Sequence, residues 1–435
     1  MVLEEINIVD TITDYYNRFE NEYPIELINS KQFDTPVNFK QAKGCPKHRW
    51  FTYKEGFSPI FVADFIQRFS SLKSTVVFDP FGGIGTTVLE SSILGYSAFS
   101  NDINPLSNYI SKIKNTIYDS NDITNLESTL KVFNKINFDR KNNPPVNNTV
   151  NSYFDESTLD SILQIQYWID TLEIPKIKNL FNLALLTNLE KVSTHRKDGN
   201  GVKRKKNFNQ IKDLSVLKDI ISEKINEFLH DINSTKINSL GVVYEQSSFD
   251  PYSLPKKADI VITSPPYANC FDYSKVYLVE LWFGGFFKEK IDQKNFRESS
   301  VVSHVHYKWQ ARNRDYGHNL VNNEIFKHLS ECELWDKKIP QMLVGYFSDM
   351  GKVLSELIPN LKSGAIVGIV VGNSVYGGLP IATDILISEL AIQLGYEIVG
   401  IESYRTLTPS SQQLKIIREK DKKFLRESLI ILQWK

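Results

Sequence analysis

The chain has 435 residues, and its 51 Lys and Arg balance its 51 Asp and Glu to a formal net charge of zero. That length predicts two or three domains, and the balance excludes bulk electrostatic attraction to nucleic acid, leaving any such contact to local patches. Cys45, Cys270 and Cys332 are scattered without metal-ligand spacing, which fits a reducing cytoplasm, and no apolar run is long enough to span a bilayer.

Residues 1–44 read as a helical N-terminal extension, amphipathic and acidic at its start rather than signal-peptide-like. A short β-rich run, Thr75–Phe78, then leads into Asp79-Pro80-Phe81-Gly82-Gly83-Ile84-Gly85-Thr86-Thr87. The helical stretch Thr86–Leu94 follows, with Gly95 as its C-cap. Strand, glycine-rich turn and helix open a nucleotide-binding α/β unit, and Gly82, Gly83 and Gly85 let the backbone approach a ligand closely. A second strand, Tyr96–Asn101, ends in Asp102, roughly 20 residues beyond the glycines, where a ribose-binding carboxylate is expected.

From 111 to 240 helical stretches dominate (Leu126–Ile136, Thr158–Leu172, Leu214–Ile232), with a polar loop at Lys141–Asn148. This block reads as a mostly α-helical insertion. Within it Lys191–Lys206 reads as a basic loop with a flexible tip, and Arg196, Lys197, Lys203, Arg204, Lys205 and Lys206 are candidate phosphate contacts. The sheet resumes at Gly241–Tyr244 and Asp259–Thr263, and the latter apolar strand runs into Ser264-Pro265-Pro266-Tyr267. Two prolines there fix φ and remove two amide donors, so the backbone must leave the sheet as a rigid corner with exposed carbonyls. Later elements are an aromatic-rich helical stretch, Tyr273–Phe287, and a polar, basic segment of about 50 residues, too long for a simple connection. A helix at Met342–Leu361, a buried strand at Ala365–Val371, a helix at Pro380–Leu394 and strands at Glu397–Glu402 and Ser428–Gln433 complete the pattern.

The two motifs together resemble the S-adenosylmethionine-dependent DNA amino-methyltransferase family. Its D-P-F-x-G-x-G-T turn is matched at Asp79–Thr86, its acidic-x-N-P strand end at Asp102-Ile103-Asn104-Pro105, and its S/D/N-P-P-Y corner at Ser264–Tyr267. The stretch Trp50–Pro59 is similar to the element that precedes the first strand in that family. The resemblance implies a Rossmann-like class I methyltransferase sheet. Residues 45–110 and 241–435 would form the catalytic domain, and 111–240 a helical insertion for DNA recognition. It further implies that Phe57, Ser58, Asp79, Phe81, Gly82, Gly83, Gly85, Thr86 and Asp102 bind S-adenosylmethionine, and that Ser264, Pro265, Pro266 and Tyr267 are catalytic. The closing strand, Ser428–Gln433, would be an antiparallel edge. Implied partners are double-stranded DNA with a flipped target base and a cognate restriction endonuclease, in a restriction-modification or phage-defence setting; no membrane and no metal are expected. One departure lies at Glu245–Asp250, where Ser247 or Ser248 stands in place of the usual adenine-contacting acid, with Asp250 as the alternative.

An exocyclic amino nitrogen is a poor nucleophile because its lone pair is delocalised into the ring. Acceptors fixed at Ser264 Oγ and the Pro265 carbonyl would localise that pair, with little reorganisation at the transition state. Tyr267 would stack on a base extruded from the duplex. Methylation at cytosine carbon 5 needs a cysteine nucleophile, and no Pro-Cys pair stands at this corner. Ser at the first motif position resembles the N4-cytosine enzymes more than the N6-adenine ones. An RNA amino-methyltransferase and a non-catalytic nucleic-acid-binding protein are the other readings. A second basic, aromatic segment, Ser303–His318, contains His304 and His306. A metal site there would need a completing cysteine or carboxylate, which the spacing does not supply.

Overall fold

The computed structural model describes residues 8–28, 41–54, 56–70, 72, 74–138, 148–199, 201–206, 214–306, 319–408 and 411–435. Its strands are β1 (Ile25–Leu27), β2 (Val76–Asp79), β3 (Ser97–Asp102), β4 (His195–Asp198), β5 (Gly201–Arg204), β6 (Val242–Glu245), β7 (Ala258–Thr263), β8 (Leu361–Gly372), β9 (Ser374–Tyr376), β10 (Leu379–Ile381), β11 (Glu397–Thr406) and β12 (Arg426–Gln433). Eight form one sheet in the order β1-β11-β12-β8-β7-β2-β3-β6. All neighbours in it are parallel except β12, which runs antiparallel to both β11 and β8. This is an α/β, Rossmann-like fold.

The chain proceeds from β2 outward through β3 to β6, then returns across β2 to β7 and outward again through β8. The order therefore reverses between β2 and β7, and the carboxyl ends of those two strands form the switch point where open α/β sheets bind ligands. Both sequence motifs leave the sheet there.

Three expectations are corrected. The strand Ser428–Gln433 is antiparallel but interior: seven of the eight residues of β12 are buried, which suits a strand laddered on both sides and not an edge. The edge is instead β1, which pairs with β11 and comes from the N-terminal extension. The helix of that extension, Ile8–Glu22, buries Ile12, Tyr16 and Phe19, with Tyr16 edge-on to Phe424 at 5.3 Å. Second, the helix expected from Pro380 begins at Thr383, because Leu379–Ile381 folds back on β9 as β10. Third, Lys191–Lys206 is no loop but the β4–β5 hairpin, turning through Gly199 at φ +52°, a left-handed conformation that suits a two-residue hairpin turn.

Helices Ser120–Lys135, Glu156–Asp170, Pro175–Val192 and Leu214–Ser234 form the block between β3 and β6. They share one apolar cluster around Phe133, Trp168 and Phe181 that also takes in Trp50 and Phe51. Asp231, fully buried, ties this block to the segment before β2. It accepts from the Lys47 amide at 2.8 Å, Trp50 Nε1 at 3.0 Å and the Arg49 guanidinium.

Candidate active site

The glycine-rich turn after β2 is shaped by close packing. A Cβ on Gly82 would lie 2.7 Å from Ser100 Cβ, and one on Gly85, at φ +80°, would lie 2.1 Å from Ser111 Oγ. Only glycine permits those approaches. Asp79 is buried beneath the turn and accepts from Thr87 Oγ1 at 2.7 Å, Thr263 Oγ1 at 2.7 Å and the Phe81 amide at 3.0 Å. Its carboxylate thus laces the β2 turn to the last residue of β7, directly before Ser264. Burial pushes its pKa up to about 6 against these hydrogen bonds. From below, the buried Lys114 donates to the Ile84 carbonyl at 2.8 Å, and burial lowers its pKa to about 7.

Asp102 ends β3 with each carboxylate oxygen oriented by a backbone amide, Oδ2 by Gly83 and Oδ1 by Asn104, both at 2.7 Å. Asn104 in turn caps the helix Pro105–Asn115, accepting from the Leu106 and Ser107 amides, with Pro105 at the first helical position. The acidic-x-N-P pattern is therefore a strand end, a turn and a helix cap in four residues. Burial raises Asp102 to about 6 despite these amide contacts.

One cavity, about 970 Å³ counting its open mouth, spans the switch point. Of the expected cofactor residues, Phe57, Asp79, Phe81, Gly82, Gly83, Thr86 and Asp102 line it; of the expected catalytic residues, Ser264 and Pro266 do. Four expected residues lie off its wall. Gly85 sits beneath the turn. Ser58 is fully buried and caps the helix Pro59–Phe69, its Oγ accepting from the Ile60 amide at 3.2 Å and donating to Gln41 Oε1 at 2.5 Å. Its expected contact with the cofactor is corrected to a helix cap. Pro265 is buried. Tyr267 is half-buried, and its hydroxyl donates to Glu427 Oε1 at 2.9 Å.

The β6 exit separates the alternatives at Glu245–Asp250. Both serines are buried and line the cavity, but Ser248 Oγ donates to the Pro80 carbonyl, whereas Ser247 Oγ has no hydrogen-bond partner among the described residues. Asp250 is exposed and off the wall. Tyr53, inside the Trp50–Pro59 stretch, also lines the cavity. Its ring stacks on Tyr277 at 4.9 Å and 7°, a contact between distant segments that no sequence signal announces.

The wall opposite carries an unforeseen charge cluster. Asp272 accepts from Ser274 Oγ at 2.6 Å and from Arg297 at 2.8 Å, with His306 Nδ1 at 3.6 Å and His304 Nε2 at 4.0 Å. The expectation that no carboxylate accompanies His304 and His306 is corrected, since Asp272 reaches them from outside their segment. Burial lowers His304 to about 4, and the Arg297 guanidinium already partners the Asp272 carboxylate. The rest of the basic, aromatic segment, 307–318, lies outside the described residues.

The β4–β5 hairpin divides its cations. Arg196, Lys203, Arg204 and Lys206 are exposed. Lys203 pairs with Asp198 at 2.7 Å. Lys197 is instead turned inward onto the buried Glu280, with the Tyr277 ring 4.5 Å away. Lys205 Nζ donates to the carbonyls of Glu190 and Ser193 at 2.8 Å, a cation at the carboxyl end of the helix Pro175–Val192. The expected phosphate contacts at Lys197 and Lys205 are thus corrected to ties within the fold.

No family model matches the chain. Among curated proteins it is 27% identical to the Type II methyltransferase M.BsoBI of Geobacillus stearothermophilus, over 87% of this chain and 84% of that one. It is 28% identical to the Type II methyltransferase M.AvaI of Nostoc sp. (84% and 82%). It is 23% identical to the Type II methyltransferase M.MvaI of Kocuria varians (79% and 80%). The chain is similar to these Type II methyltransferases over most of its length. Among solved structures, the rRNA methyltransferase AviRa of Streptomyces viridochromogenes aligns over 94% of this chain and 96% of that one, at 8% identity and a TM-score of 0.33, too slight a likeness to carry an argument. No helix among the described residues is long and apolar enough to cross a membrane.

Proposed function

We propose that this protein is a site-specific DNA methyltransferase that transfers the methyl group of S-adenosylmethionine to the N4 amino group of cytosine in double-stranded DNA, within a restriction-modification system. The observation that carries this reading is that Ser264 and Pro266 share one cavity with Asp102 and the glycine turn.

The cavity chemistry fits the cofactor. Asp102, with both oxygens pre-oriented, would accept from a vicinal ribose diol. Gly82 and Gly83 admit a close ligand at the turn, Phe57 and Phe81 provide apolar wall, and the unpartnered Ser247 hydroxyl would meet the adenine. When bound, S-adenosylmethionine supplies an electrophilic methyl group on a sulfonium. Ser264 Oγ and the Pro265 carbonyl would then accept from the two amino hydrogens of the target base and turn its lone pair towards that methyl. Asp79, by joining the turn to Thr263, keeps the acceptor corner in register with the cofactor. Adenine N6 offers the same two donors, so the assignment to cytosine rests on the likeness of the Ser-Pro-Pro-Tyr corner to N4-cytosine enzymes. Digesting DNA methylated by the purified protein to nucleosides should yield N4-methylcytosine; N6-methyladenine alone would overturn the base assignment, and no methylated nucleoside the whole reading.

The raised pKa of Asp102 sets a pH dependence. Above about 6 the carboxylate is ionised and can accept from both ribose hydroxyls; below it, protonation removes acceptor capacity. Cofactor affinity measured by calorimetry should therefore fall as pH is lowered through about 6, and Asp102→Asn should flatten that fall. An affinity level from pH 5 to 8 in the unaltered protein would refute it.

The exposed cations of the hairpin are the proposed phosphate contacts. Changing Arg196, Lys203, Arg204 and Lys206 together to Gln should weaken binding to all duplex sequences. It should also flatten the salt dependence, by about 0.9 in slope for each phosphate that the hairpin no longer neutralises. An unchanged slope would leave the hairpin a solvated charged surface.

A further inference from the structure

The side chain of Tyr267 is held by a row of residues that crosses four strands at the carboxyl edge of the sheet. Tyr267 follows β7. Its ring lies across Gly372, the last residue of β8, where a Cβ would come within 2.9 Å of two ring carbons. Gly372 is in register with Glu427 on β12, and Glu427 is in register with Arg405 on β11. The Tyr267 hydroxyl donates to Glu427 Oε1 at 2.9 Å, and Arg405 Nε donates to Glu427 Oε2. Glu427 is 1% exposed, so its charge is kept out of water on the strength of these two donors.

Such an arrangement is costly unless it orients something. A buried carboxylate needs partners, and Tyr267 could as readily have packed as a phenylalanine. From this row we infer that Glu427 is a positioning residue for methyl transfer: with Gly372 as the floor and Arg405 as the brace, it fixes the Tyr267 ring in the plane against which the extruded base stacks. The inference rests on the proposed function and adds a residue that neither the motifs nor the relatives assign. A ring already fixed in its bound orientation need not be ordered as the base arrives, so the base is held closer to its reacting geometry. The three partners explain one another. Gly372 must lack a side chain for the ring to lie flat, and Arg405 holds the carboxylate oxygen that Tyr267 does not use.

The test is a double-mutant cycle on full-length protein, read as the single-turnover rate of methyl transfer to duplex DNA at saturating cofactor. Tyr267→Phe removes only the hydroxyl and keeps the stacking face. It should slow the step about tenfold, the equivalent of one hydrogen bond to a charged group. Glu427→Ala should slow it by a similar factor, and the double variant should be no slower than either single one. Glu427→Gln keeps an acceptor and should recover most of the rate lost by Glu427→Ala. Cofactor affinity by calorimetry should stay at the wild-type value in all four, which a general loss of structure would not allow. A wild-type rate for Tyr267→Phe, or a double variant slowed by the product of the two single effects, would overturn the positioning role. If the unaltered protein binds cofactor yet never methylates duplex DNA, the proposed function itself fails, an outcome distinct from both.

Discussion

Replacing Asp102 with alanine should weaken S-adenosylmethionine binding about a hundredfold or more while the protein stays folded. The expectation follows from two roles of one carboxylate. Its oxygens are aimed by the amides of Gly83 and Asn104, each at 2.7 Å, and would receive two ribose hydroxyls. A hydrogen bond to a charged group is worth roughly 1.5–3 kcal/mol, and two of them amount to at least two decades of affinity. The same substitution leaves the Gly83 amide without its acceptor, so the turn itself loses an anchor. Asp102→Asn retains one carbonyl acceptor and should fall between wild type and alanine. Calorimetry with thermal unfolding as a control decides the matter: a folded alanine variant with wild-type affinity would remove Asp102 from the cofactor site.

What the sequence disclosed and what it concealed divide along the range of the interactions involved. The helix Thr86–Leu94 was legible to the residue, because its start at a glycine turn and its end at Gly95, with φ +91°, are local signals. So was the adjacency of the two motifs, since a parallel α/β order fixes where each strand end lies. The cap at Ser58 was equally local: Ser followed by Pro is a helix start, and reading the pair that way would have taken Ser58 out of the cofactor site. Other features depend on partners far along the chain. The edge position of β1 is set by pairing with β11, and Ile25–Leu27 carries too short a pattern to announce it. Lys197 looks like any cation of a basic run until Glu280, buried on a separate helix, takes it inward. Asp272 completes the cluster around His304 and His306 only because two segments fold onto one wall of the cavity. Ser247 and Ser248 are adjacent and chemically identical, and only the Pro80 carbonyl, which takes up the second hydroxyl, tells them apart.

Ser264→Ala should leave cofactor binding intact and lower the rate of methyl transfer by about two to three orders of magnitude. Ser264 lines the cavity together with the glycine turn proposed to bind the cofactor, yet its Oγ would serve the amino group of the target base. That hydrogen bond matters most when the nitrogen lone pair localises, which is in the transition state. Loss of one pre-organised partner of this type in other enzymes costs about 10²–10³ in kcat. The effect should appear in kcat with KM for DNA little altered, because the acceptor contributes less to the ground state, where the amino lone pair is still delocalised. Tyr267→Ala should behave differently. It removes a stacking face worth about 1–3 kcal/mol, so part of its loss should appear as weaker DNA binding. Ser264→Thr, which restores an acceptor hydroxyl on a bulkier side chain, should regain part of the rate lost in the alanine variant. Single-turnover kinetics on duplex DNA separate these cases. A Ser264→Ala enzyme that transfers methyl groups at the wild-type rate would leave the Pro265 carbonyl as the sole acceptor and end the assignment of Ser264 to the chemical step.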